Sequence, residues 1–184
     1  MRRGMRFMAA AGLLAVLGLA SGARAQEEKI PLHRVPKAVL TSAKAKLPGS
    51  EIKTASKETE DGEPVFVLEM KHRRHNVDVT LKVDGTVVLV ETDVTAKEVP
   101  KVVLQAIQQS YPGATVRGAE SVNKGPEVKK KADYYEFYIM TADQKPARVK
   151  VDPHGKVLYP EEKTAAKSRT RREWRRAEGS RGDR

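Results

Sequence analysis

The residues best suited to metal binding or to proton transfer near neutral pH are His33, His72, His75 and His154. Two of them stand in His72-Arg73-Arg74-His75, an i, i+3 spacing that could clamp a metal across a turn. Two arginines between the ligands would repel a cation, and no nearby carboxylate pair completes a ligand set. The stretch therefore reads as a solvated basic turn, and His154 as a turn residue. A metal or small-ligand sensor built on His72 and His75 is the weakest of three functional readings. The acidic stretch Glu58, Glu60 and Asp61 precedes Gly62 in a hairpin turn. Carboxylates on a solvated turn lack the burial that raises a pKa for acid catalysis. No nucleophile elbow, metalloprotease helix motif, phosphate loop or dinucleotide fingerprint is present. The sequence assigns no catalytic residue, cofactor or metal, and reads as a non-enzyme.

Chemistry of recognition is better represented. Tyr134 and Tyr138 alternate along one strand and are flanked by Arg148 and Lys150 on the next. Tyr and Arg are enriched where interfaces concentrate their binding energy. A second group lies near the end of the chain: Arg171, Arg172, Trp174, Arg175 and Arg176 could meet an anionic surface, with Trp174 as an anchor. Such contact would be electrostatic; no motif for specific nucleic-acid recognition accompanies it. Arg181-Gly182-Asp183 spells an adhesion tripeptide, which a charged tail produces by chance.

These groups need elements to hold them. Val35-Pro36-Lys37 recurs as Val99-Pro100-Lys101, and Leu47-Pro48-Gly49 as Tyr111-Pro112-Gly113, each 64 residues later. Phe66, Leu68 and Met70 then match Tyr135, Phe137 and Ile139, Val79 and Leu81 match Val149 and Val151, and Asp84-Gly85 matches His154-Gly155. Matches in a fixed order mark a duplication. The offset grows across Val122 to Asp133, where an insertion includes Lys129, Lys130 and Lys131. Each copy opens with a helix that has Pro at its first position. Leu40, Ala43 and Leu47 form the apolar stripe of one helix, and Leu104, Ile107 and Tyr111 that of the other. Strands are expected at 51–58, 64–71, 76–83 and 86–92, then at 115–121, 133–140, 146–152 and 156–160. Alternation turns Phe66, Leu68, Met70, Val77, Val79 and Leu81 toward one helix, and Tyr135, Phe137, Ile139, Ala147, Val149 and Val151 toward the other. Glu69, Lys71, Asp78, Thr80 and Lys82, with Tyr134, Glu136, Tyr138, Arg148 and Lys150, then form a polar, open face. The expected fold class is α+β: two tandem repeats, each one helix packed on a four-stranded antiparallel sheet.

Both ends stand outside this plan. Arg2, Arg3 and Arg6 precede 14 apolar or small residues from Phe7 to Ala20, and Ala23-Arg24-Ala25 supplies a cleavage signal. Residues 1–25 therefore read as a signal peptide cut after Ala25, since a membrane span needs about 20 apolar residues. No transmembrane segment is expected in the mature chain. The protein has no cysteine, which excludes disulfides and thiol chemistry and suits a bacterial periplasmic or secreted protein. Residues 161–184 carry nine Lys/Arg and five Asp/Glu, with Trp174 their only large apolar residue, and read as a disordered basic tail. The whole chain carries +11, but residues 26–160 carry only +3. The expected organisation is a first repeat over 26–95 and a second over 96–160.

The pattern V-P-x-x-V or V-P-x-V-V, then P-G, a strand pair, and D-G or H-G before a last strand, resembles the PepSY-like family. That family is also described as β-lactamase-inhibitor-like. The resemblance covers residues 35–160 as two copies. It implies an exported, non-enzymatic module that binds, and inhibits or modulates, another envelope or secreted protein such as a peptidase. It carries over no functional residues. The secreted β-lactamase inhibitors bear disulfides that this chain lacks. The rival reading is a polyanion or envelope-surface binder working through the basic tail and the Lys129–Lys131 loop.

Overall fold

A computed structural model describes residues 27–60, 62–126 and 131–158. Nine strands form one antiparallel sheet in which spatial order follows chain order. They are β1 (Glu28–Ile30), β2 (Glu51–Glu60), β3 (Glu63–His72), β4 (His75–Lys82), β5 (Val87–Asp93), β6 (Thr115–Lys124), β7 (Tyr134–Met140), β8 (Pro146–Val151) and β9 (Val157–Leu158). Helix α1 (Lys37–Lys46) joins β1 to β2, and helix α2 (Lys101–Ser110) joins β5 to β6. No helix among the described residues is long and apolar enough to cross a membrane.

This corrects the expected fold class. Over the described residues the fold is mainly β, a single nine-stranded sheet with two short helices, and not two separate units of one helix on four strands. The difference lies at β5 and β6, which pair antiparallel from Leu89↔Lys124 to Asp93↔Glu120. β6 runs on past residue 121 to Lys124, and its residues 120–124 supply the partners of Leu89–Asp93 on β5. Two separate sheets would each leave an edge of unpaired backbone groups there. β1, not anticipated from the sequence, covers the other edge of β2 through Glu28↔Lys57 to Ile30↔Ala55.

The register carries one face across the whole width. Val79 opposes Val90, Thr92 opposes Ser121, Ser121 opposes Tyr135, and Tyr135 opposes Val151. Both helices lie on this face. Under α1, Phe66, Leu68, Met70, Val77, Val79 and Leu81 pack with Val35, Val39, Ala43 and Leu47. Under α2, Tyr135, Phe137, Ile139, Val149 and Val151 pack with Val99, Val103, Ala106 and Ile107. Burying one such side chain fully contributes about 1.5–3 kcal/mol. The strand residues are those the alternation selected. The helix stripe is shifted: Val39 and Val103 are fully buried, while Leu40 and Leu104 are only partly buried against the core. Pro36 and Pro100 stand just before the helices as extended N-caps, with ψ of 139° each, and not at the first helical position. That places Val35 and Val99 in the core, and the i, i+4 step from them selects Val39 and Val103.

The hairpin turns fix the sheet against the helices. Gly85 has φ of +88°, and a Cβ built there would lie 2.6 Å from Ser42 Oγ and 2.8 Å from the Ala38 carbonyl oxygen of α1. Gly155 has φ of +90°, and its Cβ would lie 2.8 Å from Val102 Cγ2 of α2. Only glycine combines this backbone geometry with so close an approach.

Candidate binding face

The face opposite α1 and α2 is set by the other half of each strand's alternation. It is not the solvated polar surface expected. Val65, Val67, Thr80, Val122 and Tyr134 are buried on it, as are Ser56, Glu58, Glu91, Glu120 and Glu136. Glu58 lies within β2 opposite Val65 and not in an open turn; Asp61 lies outside the described residues.

The β7–β8 hairpin brings together Tyr134, Tyr138, Arg148 and Lys150. Its turn is closed by Thr141, whose hydroxyl accepts from the Lys145 N–H at 3.0 Å, with Gln144 at φ of 61°. The register then sets Tyr138 opposite Arg148 and Glu136 opposite Lys150. Arg148 Nη2 donates to the Tyr138 hydroxyl at 2.8 Å, and that hydroxyl donates to Glu120 Oε2 at 2.9 Å on β6. The guanidinium carbon lies 5.2 Å from the Tyr138 ring centre. Arg148 Nε pairs with Glu136 Oε1, and Lys150 Nζ lies 4.0 Å from Glu136 Oε2. The Glu136 side chain is only 1% exposed, so these two cations compensate a carboxylate taken out of water. Lys150 and Lys124 lie over the Tyr134 ring at 5.1 and 5.5 Å. Tyr134 is buried, whereas Tyr138, Arg148 and Lys150 are half-buried. These four residues therefore form a connected network of charge, hydroxyl and ring.

Further carboxylates share this face, and the sequence reading did not place Glu91, Asp93 or Glu120 on it. Glu69, Asp78 and Glu91 follow one another in directly opposed register on β3, β4 and β5. Asp93 opposes Glu120, and Glu120 opposes Glu136. Burial, then the charges of Glu91, Asp78 and Asp93, pushes the Glu120 carboxyl up to about 8, against the pull of the Tyr138 hydroxyl. The signal was present in part, since alternation put Glu69, Asp78 and Glu136 on this face. Without the β5–β6 pairing, nothing showed that acids from both halves of the chain would meet.

The His72–His75 segment is the expected tight turn between β3 and β4, with Arg73 at φ of 55°. It does not gather a ligand set. His75 Nδ1 lies 2.8 Å from the Asp93 carbonyl oxygen, and His75 Nε2 lies 3.3 Å from Glu98 Oε1. Arg74 Nη2 also meets Glu98, at 3.1 Å. The Thr95 N–H and hydroxyl donate to Glu98 at 2.9 Å each and hold its carboxyl down to about 2, helped by Arg74 and His75. Among the described residues, no group of three or more His, Cys, Asp and Glu is placed to hold a metal ion. His154 stands in the β8–β9 turn, where its N–H donates to Asp152 Oδ1 at 2.9 Å. The signal peptide and Arg171, Arg172, Trp174, Arg175 and Arg176 lie outside the described residues, as do Lys129 and Lys130.

No protein-family model matches the chain, and no curated protein matches it. Solved structures match at the level of fold. A DUF2874 family protein from Bacteroides uniformis is 20% identical with a TM-score of 0.55, covering 67% of this chain and 86% of its own. A BLIP-like protein from Bacteroides fragilis is 16% identical with a TM-score of 0.55, covering 76% of this chain and 92% of its own. A Bacteroides eggerthii protein proposed to be periplasmic is 19% identical with a TM-score of 0.55, covering 67% and 86%. The fold of this chain is therefore BLIP-like.

Proposed function

We propose that this protein is an exported, non-enzymatic binding module that recognises another protein through the face of its sheet opposite α1 and α2. The observation that carries the reading is the Tyr134–Tyr138–Arg148–Lys150 network, held on the face of the sheet opposite α1 and α2. Half-buried Tyr and Arg on a rigid sheet can be desolvated by a partner at little conformational cost. The BLIP-like fold supports a role in protein binding, and the PepSY-like sequence pattern supports a peptidase or similar envelope enzyme as the partner. Export is supported by the charged, apolar and small-residue order of residues 1–25, and by structural neighbours proposed to be periplasmic.

The test is capture from an envelope extract of the source organism, with residues 26–184 as bait at near-physiological salt. One enriched protein, lost with Tyr134→Ala/Tyr138→Ala while the circular dichroism spectrum is retained, is the expected result. Retained capture by that folded variant would move the interface elsewhere. Turnover of a substrate by the purified protein would overturn the reading.

A further inference from the structure

The helical side of the sheet is basic. Residues 31–50, which hold α1, carry four Lys/Arg and no acid, and residues 99–119, which hold α2, carry two and no acid. These two stretches supply +6 to residues 26–160, whose net charge is +3, so the rest of that span carries −3. By register, the acids of β3 to β7 stand on the opposite face. Lys37 and Lys101 take the first position of each helix, where the helix dipole disfavours a cation, and no acid stands in either first turn. Helix stability therefore does not account for them. Lys44 lies two turns beyond Lys37 on the same flank of α1. Among the described residues Lys37, Lys44 and Lys101 are exposed and form no ion pair. Asp84 and Asp152, in the turns that abut the helices, accept from the backbone N–H groups of Thr86, and of His154 and Lys156.

The same side holds the exposed large apolar residues. Among the described residues these are Leu32, Val83, Val102 and Val116, which are 38%, 54%, 43% and 45% exposed. Leu32 stands in the single 3-10 turn that leads into α1, and Val102 in α2. Val83 stands in the β4–β5 turn, whose Gly85 abuts α1. Val116 opposes Ile139, which packs under α2. Single exposed apolar residues are ordinary when scattered over a surface. Here they share one side with two acid-free helices, the combination that suits acyl chains and anionic headgroups together. A soluble polyanion offers no apolar phase to such side chains.

We propose that the side of the sheet bearing α1 and α2 docks on a lipid bilayer with anionic headgroups. Leu32, Val83 and Val102 enter the boundary between headgroups and acyl chains. Lys37, Lys44 and Lys101 meet the phosphates, with their stems lying along the apolar surface. The docked side is across the sheet from Tyr138 and Arg148, so docking holds that network away from the bilayer. The inference goes beyond the partner reading above and stands without it.

The experiment uses residues 26–184 and sedimentation with phosphatidylcholine vesicles, with and without about one third phosphatidylglycerol, at about 0.1 M salt. Binding to the anionic vesicles alone is the expected result. Lys37→Gln/Lys44→Gln/Lys101→Gln should weaken it about a hundredfold, roughly fivefold for each cation. Leu32→Ser/Val83→Ser/Val102→Ser should weaken it by more than about tenfold. Circular dichroism verifies that each variant is folded. The chain has no cysteine, so Thr41→Cys on α1 and Thr54→Cys, opposed to Glu69 on the other face, each carry one environment-sensitive fluorophore. The label at position 41 should brighten severalfold with anionic vesicles, and the label at 54 should not. Failure to bind anionic vesicles overturns the proposal. Unchanged binding by the lysine variant places the contact elsewhere on the chain and overturns it too. Unchanged binding by the apolar variant leaves those side chains in water and replaces the bilayer by a soluble polyanion. Brightening at 54 that equals or exceeds that at 41 overturns the docked side.

Discussion

Arg148 sits diagonally across the β7–β8 ladder from Glu136, and its Nε makes an ion pair with a carboxylate whose side chain is 1% exposed. The pair joins the candidate binding chemistry to the stability of the sheet. Removing one member of a buried pair leaves an uncompensated charge, at a cost of about 3–5 kcal/mol. Lys150, 4.0 Å from the other carboxylate oxygen, offsets part of that. Arg148→Met should therefore destabilise the protein by about 3 kcal/mol in urea unfolding. Arg148→Met/Glu136→Leu should recover most of the loss, since a matched apolar pair has no buried charge. A single variant within about 0.5 kcal/mol of the parent would show that the pair does not support the fold.

Glu120 gives the protein an unusual pH dependence. Its carboxyl is raised to about 8, so the folded state holds its proton where the unfolded chain has lost it. Stability is then unaffected below about pH 4.5, falls as pH rises, and carries the full penalty above about pH 8. Glu120→Gln should leave stability near pH 4 unchanged and raise it by about 2 kcal/mol at pH 9, flattening the curve between. Glutamine keeps an oxygen for the Tyr138 hydroxyl. Parallel curves for variant and parent would show that Glu120 titrates normally.

Gly85 and Gly62 both have positive φ, but a Cβ at Gly62 meets nothing within 4 Å while one at Gly85 meets α1. Gly62→Ala should cost about 1 kcal/mol, the backbone term alone. Gly85→Ala must also push back Ser42 or the Ala38 carbonyl and should cost about 3 kcal/mol. Equal costs in thermal unfolding would mean that the β4–β5 turn does not bear on α1.

The strands were legible because period-2 alternation is unbroken where burial is one-sided, as in Phe66–Leu68–Met70 and Tyr135–Phe137–Ile139. The Pro and Gly signals around both helices were equally direct. The joining of the sheet was not legible: Leu89↔Lys124 and Asp93↔Glu120 are pairs between distant residues, and alternation in each strand is the same whether its edge is free or paired. For the same reason Tyr138 and Arg148 could be placed on one face, while their link to Glu120 on β6 could not.

Val39 and Leu40 separate the two readings of the α1 stripe. Val39 is fully buried among Phe66, Leu68 and their neighbours, and Leu40 only borders that cluster. Cost follows the volume removed from a site that cannot collapse, and not the size of the residue in the sequence. Val39→Ala should therefore cost about 2 kcal/mol, and Leu40→Ala, which removes a larger side chain, about 1 kcal/mol. Position 103 repeats the comparison in α2, since Val103 is fully buried and Leu104 is not. Urea unfolding of the four variants decides the matter. A larger loss for Leu40→Ala and Leu104→Ala would restore the stripe expected from the sequence and turn both helices by one residue, about 100°, on the sheet.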